Sequence, residues 1–384
     1  MANILIGVTG SIAIYKTLEL IRLFIKNDNN VKVIMTKGAE KFITPLTFEA
    51  LTKNRVLTEE SESWANEYNH IDIAKWADIF IIAPATANTL NKMSAGIADN
   101  LLLQTYLAFE KEIIIAPAAN TNMYLHPTTQ KSLKTLPHYI IEANDGLLAC
   151  GDFGVGKMAD VKDIFYKAIQ LLNIEEFWEN KSVIVTAGGT IEKIDDVRFI
   201  SNFSSGKMGE ALALGLYLVG AKVTLLSSKQ HNLPKEINIL PFESVKELKE
   251  KLDFLTPVND YLFMTAAVSD YSPIPQKGKI KKEKLNSDTW ELKLHKNIDI
   301  LASINNIKKI GFKAETDEKT AINSAKKALI SKNCDAICLN LLTKNNFGSE
   351  ENEIIFITKD KEITIPQDLK LNIAKQIIKE AKYV

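Results

Sequence analysis

Residues 3–11 read NILIGVTGS, a short apolar run that ends in a glycine-containing turn just before a helical stretch at Ile12–Lys26. Similar β-branched runs follow in the first half of the chain, at Val31–Thr36, Asp78–Ala83 and Glu112–Ala116. Runs of this kind, bounded by Gly, Pro or Thr, are typical of strands that are covered on both faces of a parallel sheet. The first half is therefore predicted to be an α/β fold with a doubly wound sheet.

The same alternation restarts after the polar segment Glu175–Lys181. Five further strands are predicted, at Ser182–Ala187, Lys222–Ser227, Asp260–Ala266, Lys309–Phe312 and Asp335–Asn340. Helices are predicted near Gly206–Val219, Ser244–Leu255 and Glu318–Lys332. The chain thus reads as two tandem doubly wound, Rossmann-like domains, residues 1–178 and 179–384.

Composition excludes several classes of protein. Lys+Arg and Asp+Glu number 47 each among 384 residues, so no overall charge favours nucleic acid or an anionic membrane. No apolar run reaches the about 18 residues of a membrane helix, and the first residues lack the basic flank and cleavage site of a signal peptide. Three cysteines cannot make a disulfide framework. We expect a soluble, cytoplasmic protein that binds neither nucleic acid nor membrane.

Charge differs between the two halves. Residues 1–178 hold 16 basic and 20 acidic side chains, whereas the remainder holds 31 and 27. Five lysines of the second half fall between Lys277 and Lys284. This asymmetry predicts that the second half handles the more anionic ligand.

Loops rich in small and polar residues follow the predicted strands of the first half. They read GVTGS at residues 7–11, APATANT at 83–89 and APAAN at 116–120. Such loops can admit a phosphate or a flat ring at the carboxyl edge of a sheet, although the first could be only a tight turn. LACGDFGVGK at 148–157 is a glycine-rich segment that could close over a site. By spacing alone, Cys150 and His70 could each be structural.

These motifs, with GIADN at 96–100, resemble the flavin-dependent cysteine decarboxylases, and in particular the phosphopantothenoylcysteine decarboxylases. The resemblance spans nearly all of the first half and implies that His70 is the active-site histidine, that Cys150 donates a proton and that Asn120 holds the substrate carboxylate. It departs at Ala119, where the family usually has Met. It implies an FMN site formed by Gly10, Ser11, Thr36, Thr86, Asn88, Thr89 and Asp99.

The chemistry explains this set of groups. Loss of CO₂ from an acylated cysteine needs an electron sink, which FMN provides by oxidising the carbon that bears the thiol. The product must then be protonated and reduced. An ordinary thiol is protonated at neutral pH, and an imidazole can relay a proton, so Cys150 and His70 suit these steps.

The second half has its own strand-end loops, GGT at 188–190 and TAAVSDY at 265–271, and a segment RFISNFSSGKMG at 198–209. The Gly-Lys pair is not a P-loop, because Met208 stands where Ser or Thr is required. The lysine run could be a solvated loop, or an extended ribbon that places Lys279 and Lys281 on one face towards a triphosphate. An RNA-binding patch is disfavoured because aromatic residues are absent from the run.

These pieces resemble the phosphopantothenate–cysteine ligases almost to the end of the chain. The resemblance implies that 4′-phosphopantothenate and its activated form contact Arg198, Asn202, Ala266, Ala267 and Asp270, with Asn202 in a catalytic role. It implies a CTP site lined by Asp270, Lys279, His295, Lys296, Asn297, Ile298, Phe312 and Lys332. Asp270 is also the candidate ligand for Mg²⁺. Ala328 replaces a usual lysine, which leaves CTP or ATP open, and Lys327 beside it could substitute.

Together the two resemblances imply a bifunctional enzyme of coenzyme A biosynthesis. CTP would activate 4′-phosphopantothenate as an acyl cytidylate for attack by L-cysteine, and FMN would support decarboxylation of the product to 4′-phosphopantetheine. The resemblance also implies a homo-oligomer, with flavin sites at subunit contacts and ligase sites at a dimer interface. A flavin-binding regulatory paralogue without turnover is the main alternative. A nicotinamide-dependent oxidoreductase is disfavoured because no G-x-G-x-x-G motif is present.

Overall fold

The computed structural model describes residues 1–65, 68–281, 289–343 and 348–384. Lys282, Glu283 and Lys284 of the lysine run lie outside the described residues. The chain divides into two compact units, residues 1–172 and 173–384. The division lies before the predicted boundary at residue 178 because Trp178 is fully buried and packs edge-on against Tyr261 of the second unit. Whether each unit carries one complete activity stays a prediction.

The first unit is built on a five-stranded parallel sheet in the order β2-β1-β3-β4-β5. Its strands are β1 Asn3–Val8, β2 Asn30–Met35, β3 Ile79–Ala85, β4 Ile113–Pro117 and β5 Tyr139–Ile140, and a separate hairpin is formed by β6 Asn144–Leu147 and β7 Phe153–Lys157. Its helices are α1 Ile14–Lys26, α2 Lys37–Glu40, α3 Pro45–Thr52, α4 His70–Trp76, α5 Ala87–Ser94, α6 Leu101–Ala108, α7 Thr121–Leu125, α8 Pro127–Thr135 and α9 Val161–Leu172.

Burial on both faces explains the composition of these strands. Ile4 and Ile6 of β1 belong to one apolar core, whereas Leu5 belongs to the core on the opposite face. Alternate side chains of a strand point to opposite faces, so a strand with helices on both sides must be apolar throughout. The doubly wound prediction for this half is confirmed. The order of strands reverses between β1 and β3, and open α/β sheets bind ligands at such a switch point.

The second unit contains an eight-stranded sheet in the order β12-β11-β8-β13-β16-β17-β18-β19. Its strands are β8 Ser182–Ala187, β9 Ile191–Lys193, β10 Phe199–Ser201, β11 Lys222–Ser227, β12 Asn238–Pro241, β13 Tyr261–Met264, β14 Tyr271–Pro273, β15 Leu294–Lys296, β16 Lys308–Glu315, β17 Ala336–Leu341, β18 Glu351–Ile357 and β19 Glu362–Leu369. Its helices are α10 Glu176–Glu179, α11 Lys207–Leu218, α12 Val245–Leu255, α13 Ile300–Ser303, α14 Glu318–Ser331 and α15 Lys370–Glu380.

This second sheet is parallel from β12 to β17. β18 pairs antiparallel with β17, and β19 pairs antiparallel with β18. The switch point lies between β8 and β13, where the backbones of Gly189 and Ala267 form an isolated bridge. Two short antiparallel pairs, β9 with β10 and β14 with β15, stand apart from the sheet. Neither pair was predicted, since three-residue strands give no measurable alternation. Among the described residues, no helix is long and apolar enough to cross a membrane.

Candidate active sites

A cavity of about 820 Å³ opens at the carboxyl ends of β1, β3 and β4 in the first unit. The loops that line it are those that the sequence singled out. Among the predicted flavin residues, the lining includes Gly10, Ser11, Thr36, Thr86, Asn88 and Thr89. Asn120 and Cys150 line it as well. The structure therefore brings together eight of the predicted residues of this half.

Thr9 connects the two loops at the switch point. It is buried, and its Oγ1 donates to the Pro84 carbonyl at 2.6 Å while accepting from the Thr86 main-chain N–H at 3.0 Å. Thr86 in turn caps α5 by accepting from the Thr89 N–H at 3.3 Å. Side-chain caps of this kind satisfy the free amides at a helix start and fix its position. The entrance of α5 is thus held at the cavity wall.

Gly10 is required by a close approach of two backbones. A Cβ built at this position would lie 2.9 Å from the backbone carbonyl of Gly38, which also lines the cavity. Thr36 holds that neighbouring segment, since its Oγ1 accepts from the Ala39 N–H at 3.3 Å. A side chain at residue 10 would therefore push the two loops apart and widen the cavity.

The β6–β7 hairpin is a flap that packs against the loop after β4. Gly156 has a φ of 137°, and a Cβ there would lie 2.1 Å from the Ala119 carbonyl oxygen. The Ala119 N–H donates to the Gly156 carbonyl at 3.0 Å. Residue 119 is thus held through its backbone, so this contact is the same for Ala119 as for the usual Met.

Cys150 lies in the turn of this flap and is exposed. The Asn120 side-chain Nδ2 donates to Cys150 Sγ at 3.5 Å, and Sγ donates to Asp152 Oδ2 at 3.3 Å. Asn120 Oδ1 accepts from the Asn122 N–H at 2.9 Å, which caps α7 and turns Nδ2 towards the thiol. A carboxamide has two N–H donors, so one remains for a ligand.

Cationic groups at this cavity were partly missed by sequence reasoning. Lys16 is buried on α1, and its Nζ donates to the Met158 carbonyl at 2.8 Å. Burial, and secondly the charge of Lys157, lowers the pKa of Lys16 below its ordinary value. Lys37 and Lys157 also line the cavity. A lysine among the apolar positions of the first helix was the available signal.

His70 and Asp99 are not brought to this cavity. His70 begins α4, its Nδ1 lies 2.8 Å from Glu62 Oε1, and its ring packs edge-on against Trp64. Asp99 pairs with Lys92 at 2.5 Å. Neither residue belongs to the lining, although Asn100, the neighbour of Asp99, does. In a single chain, His70 and Asp99 therefore do not share a cavity with Cys150 or with the other six predicted flavin residues.

A second cavity, of about 660 Å³, lies in the second unit. Its lining includes Ala266, Ala267, Asp270, Lys296, Asn297, Ile298, Phe312 and Lys332 of the predicted set. Also in the lining is the segment from Ser204 to Gly209, which contains the start of α11. This start is suited to an anion, since the first amides of a helix have no partners within it.

The lining of this second cavity is cationic. Its five lysines are Lys207, Lys296, Lys313, Lys332 and Lys370, against the three carboxylates Asp270, Asp299 and Glu351. Lys332 Nζ lies 3.1 Å from Asp299 Oδ2. Burial, and then the nearby Lys207, lowers the pKa of Lys370. Lys207, Lys313 and Lys370 were missed because only the fold brings them to one cavity.

Asn297 supports the wall rather than standing free. Its Nδ2 donates to the Ser269 carbonyl at 2.8 Å, and its main-chain N–H donates to the Asp270 carbonyl at 2.8 Å. These bonds hold the loop after β13 in place. Ala328 and Lys327 are not part of the lining, so neither position bears directly on this cavity.

Four predicted residues lie outside the lining: Arg198, Asn202, Lys279 and His295. Asn202 is adjacent to it, since its Nδ2 donates to the Ala267 carbonyl at 3.4 Å. Arg198 is held elsewhere, with Nη1 3.4 Å from Asp195 Oδ2 and the guanidinium over the Trp290 ring. Lys279 and His295 are exposed. His295 lies within β15 and Lys279 in the segment after β14, and this strand pair stands apart from the main sheet.

Potential metal ligands do not cluster in the described part of the chain, and two of its three thiols are buried. There, no group of three or more His, Cys, Asp or Glu could hold a metal ion. Asp270 is one of the three carboxylates at the wall of the second cavity. Cys334 and Cys338 are buried, and burial raises the pKa of Cys334 to about 11. Neither thiol is suited to act as a nucleophile.

Comparison with known proteins identifies the family. The family described as Flavoprotein matches residues 1–173, and the family described as DNA/pantothenate metabolism flavoprotein C-terminal domain matches residues 178–383. The "Coenzyme A biosynthesis bifunctional protein CoaBC" of Borreliella burgdorferi is 37% identical over 98% of each chain. A "Cysteine/Cysteine sulfinic acid decarboxylase" from an unknown prokaryotic organism is 39% identical over 84% of this chain and 93% of its own.

A solved structure of the C-terminal domain of a coenzyme A biosynthesis bifunctional protein CoaBC is 31% identical. It covers 54% of this chain and 97% of its own, with a TM-score of 0.45. Similarity to CoaBC of B. burgdorferi runs along nearly the whole of both proteins, and each unit matches a family described as a flavoprotein or as its C-terminal domain. The chain belongs to the CoaBC family of bifunctional coenzyme A biosynthesis proteins.

Proposed function

We propose that this chain catalyses two consecutive steps of coenzyme A synthesis. The second unit joins 4′-phosphopantothenate to L-cysteine at the expense of CTP. The first unit decarboxylates the resulting 4′-phosphopantothenoylcysteine to 4′-phosphopantetheine. The observation that carries the decarboxylase assignment is the pairing of Asn120 Nδ2 with Cys150 Sγ, 3.5 Å apart, at the wall of a cavity formed by strand ends.

The first cavity fits a flavin mononucleotide. Its volume of about 820 Å³ is within the usual range for cofactor sites. Gly10 and Ser11 lie in the turn between β1 and α1, whose main-chain amides are suited to a phosphate, and Lys37 and Lys157 supply positive charge. Ile12 and Met123 are exposed apolar side chains in the lining and suit a ring system. We assign the flavin to Gly10, Ser11, Thr36, Thr86, Asn88 and Thr89.

When bound, the flavin supplies reversible oxidation of the substrate carbon that bears the thiol, and the oxidised carbon is the electron sink for the loss of CO₂. Asn120 uses its second N–H to hold the substrate carboxylate. Cys150 carries its proton on Sγ, which donates to Asp152, and delivers it to the carbon that has lost CO₂.

The ligase chemistry is assigned to the second cavity. A carboxylate is a poor electrophile, so 4′-phosphopantothenate must first be converted to an acyl cytidylate with release of pyrophosphate. Lys332 and the other cavity lysines offset the negative charge of the triphosphate, and the start of α11 adds main-chain donors. Asn202, bonded to the Ala267 carbonyl at the cavity edge, holds the activated acyl group for attack by the cysteine amine.

Mg²⁺ is assigned to Asp270 together with the triphosphate of CTP. Magnesium is commonly held in proteins by one or two carboxylates and the substrate phosphates rather than by a protein cage. Asp270, one of three carboxylates in a cavity lined by five lysines, fits that arrangement. When bound, the ion would offset the negative charge that develops on the leaving pyrophosphate.

We further propose that the enzyme is a cytoplasmic homo-oligomer. His70 and Arg198 lie outside the cavities of their own chain, although the family resemblance gives both residues roles in a site. In an oligomer, these side chains of one chain could contact the cavity of a neighbouring chain. Such an arrangement agrees both with their positions outside the cavities of their own chain and with the roles that the family resemblance implies. Asp99, Lys279 and His295, which also lie outside the lining, are assigned in the same way.

The test is a flavin spectrum and a product assay on the purified chain. We expect a yellow protein that binds FMN, that releases pyrophosphate from CTP only when 4′-phosphopantothenate is present, and that forms the amide only when L-cysteine is added as well. ATP in place of CTP measures nucleotide preference. Asn202→Asp should block amide formation while the same protein still decarboxylates supplied 4′-phosphopantothenoylcysteine. A protein that holds flavin but turns over neither substrate would be a regulatory paralogue.

A further inference from the structure

Lys309 is a buried cation that none of the chemistry above uses. It is the second residue of β16 and is 1% exposed. Its Nζ donates to the main-chain carbonyls of Leu301 at 3.0 Å, Ile304 at 2.7 Å and Lys332 at 2.7 Å. An ammonium group has three donors, so all three are used. A buried charge persists only where it is partnered in this way.

The three carbonyls belong to the C-terminal ends of two helices. Leu301 lies within α13 and Ile304 is its C-cap, while Lys332 is the C-cap of α14. The last carbonyls of a helix have no partner within it and carry partial negative charge, which favours a cation. Lys309 therefore acts as a shared cap that fastens α13 to α14. Burial lowers the pKa of Lys309, because it makes the charged form of the side chain more costly. The three carbonyls offset part of that cost by accepting hydrogen bonds from the ammonium group.

α13 and the C-cap residue of α14 also form part of the wall of the second cavity. The Lys332 side chain lines the cavity and its Nζ pairs with Asp299 Oδ2 at 3.1 Å. Asp299 Oδ1 in turn caps the start of α13 by accepting from the Ala302 N–H at 3.1 Å. Lys309, Lys332, Asp299 and α13 thus form a closed ring of contacts. Lys309 does not itself line this cavity.

We propose that Lys309 is a positioning residue for the nucleotide triphosphate. It holds the Lys332 ammonium at a fixed distance from the part of the cavity wall formed by residues 298–301. This inference rests on the proposed ligase function of the same cavity. Loss of the ammonium would free the ends of both helices and allow Lys332 to shift. Small displacements of a charged binding group reduce affinity and rate strongly even when no contact to the ligand is removed.

The experiment compares three variants of the full chain. Lys309→Met keeps the length of the side chain and removes its three donors, whereas Lys309→Arg keeps the charge. Lys308→Met is the matched control, because Lys308 is the neighbouring residue on β16, is exposed and pairs only with Asp335 among the contacts described. The readouts are the KM values for CTP and L-cysteine, the Kd of CTP without other substrates, and the decarboxylation rate of supplied 4′-phosphopantothenoylcysteine.

Lys309→Met should raise both the KM and the Kd for CTP by about tenfold or more, with the KM for cysteine changed by less than about twofold. Lys309→Arg should recover part of this loss, and Lys308→Met should match the wild type. The decarboxylation rate, which depends on the first unit, should stay constant. This split between CTP and cysteine would not arise from a general loss of packing.

Unchanged CTP affinity in a folded Lys309→Met protein would overturn the proposal. If Lys309→Met fails to fold, the test rests on Lys309→Arg. An unchanged Kd for CTP in Lys309→Arg would then overturn the proposal, and so would failure of Lys309→Arg to fold. The two proposals fail separately. A wild-type chain that binds CTP but forms no amide contradicts the ligase function alone, because the effect of Lys309 on the Kd of CTP can still be measured.

Discussion

The Asn120 carboxamide donates a hydrogen bond to Cys150 Sγ across 3.5 Å, although the two residues come from different elements, the loop after β4 and the turn of the β6–β7 flap. Asn120 is fixed as the cap of α7, and the flap is fixed by the backbone contact between Ala119 and Gly156. The thiol is therefore aligned with the Asn120 carboxamide, the group that we propose to hold the substrate carboxylate, before any substrate arrives. The first prediction concerns this pair.

Cys150→Ser should stop decarboxylation after CO₂ has left. A hydroxyl is a far weaker acid than a thiol, so the carbon that has lost CO₂ is not protonated and the reaction stalls at an oxidised, decarboxylated product. Mass spectrometry of the reaction mixture would detect this species. The ligase rate of the same protein serves as the internal control, and normal formation of 4′-phosphopantetheine would exclude Cys150 as the acid.

His70 provides a test of oligomeric assembly. His70→Asn and Cys150→Ser should each be inactive in decarboxylation, because the first lacks the histidine and the second lacks the acid. If His70 reaches the cavity of a neighbouring chain, co-expression of the two variants should restore part of the wild-type rate, since some mixed sites contain both native residues. Activity that is never regained in mixed oligomers would place both residues in one chain's site.

Gly156→Ala should break the contact between the flap and the loop after β4. In Gly156→Ala, the new Cβ would lie 2.1 Å from the Ala119 carbonyl oxygen in a backbone conformation with φ of 137°. We expect a loss of about 1–3 kcal/mol in the stability of the first unit and little decarboxylation, with ligation intact. Gly96→Ala is the control: its φ is also positive, at 68°, but no atom lies within 4 Å of the new Cβ. Equal decarboxylation in both variants would contradict the role of the flap.

Asp195 should make the second unit sensitive to acid. Burial opposes ionisation of Asp195, but hydrogen bonds from the main-chain amides of Ile280, Val197 and Arg198, and the charge of Arg198, hold its pKa below the ordinary value. A carboxyl with a lowered folded pKa stabilises the protein above its unfolded pKa of about 3.9, and this contribution is lost as the pH falls through the folded pKa.

The measurement for Asp195 is the unfolding temperature of the second unit between neutral pH and about pH 3. The wild type should lose stability at the acid end of this range, and Asp195→Asn should start from a lower value and show a smaller loss. Asp253→Asn is a matched control, because its carboxylate is exposed and paired only with Lys249 among the described contacts. Parallel curves for wild type and Asp195→Asn would rule out this contribution of Asp195.

Much of the fold could be predicted because strands buried on both faces leave a local signature. β1, β3 and β4 are continuous apolar runs that end in small and polar residues, so both the sheet and its ligand-binding edge are visible in the sequence. The starts of α11, α12 and α14 were correct to within a residue for a similar reason: Ser244 and Asp317, for example, are cap residues that mark a helix start.

The rest depends on contacts between distant residues. Lys207 and Lys370 are 163 positions apart yet line one cavity, and no local pattern indicates that they meet. Lys309 reads as an ordinary strand lysine until its three carbonyl partners are seen. His70 shows the converse: resemblance supplies a role, whereas its position in a single chain pairs it with Glu62 outside the cavity.

The most direct measurement follows the carboxyl carbon of labelled L-cysteine through the purified enzyme. If one chain performs ligation and then decarboxylation, labelled CO₂ should appear only when CTP and 4′-phosphopantothenate are both present, in proportion to the 4′-phosphopantetheine formed. Release of labelled CO₂ from cysteine alone, without CTP or 4′-phosphopantothenate, would show a decarboxylase of the free amino acid and contradict the two-step reaction.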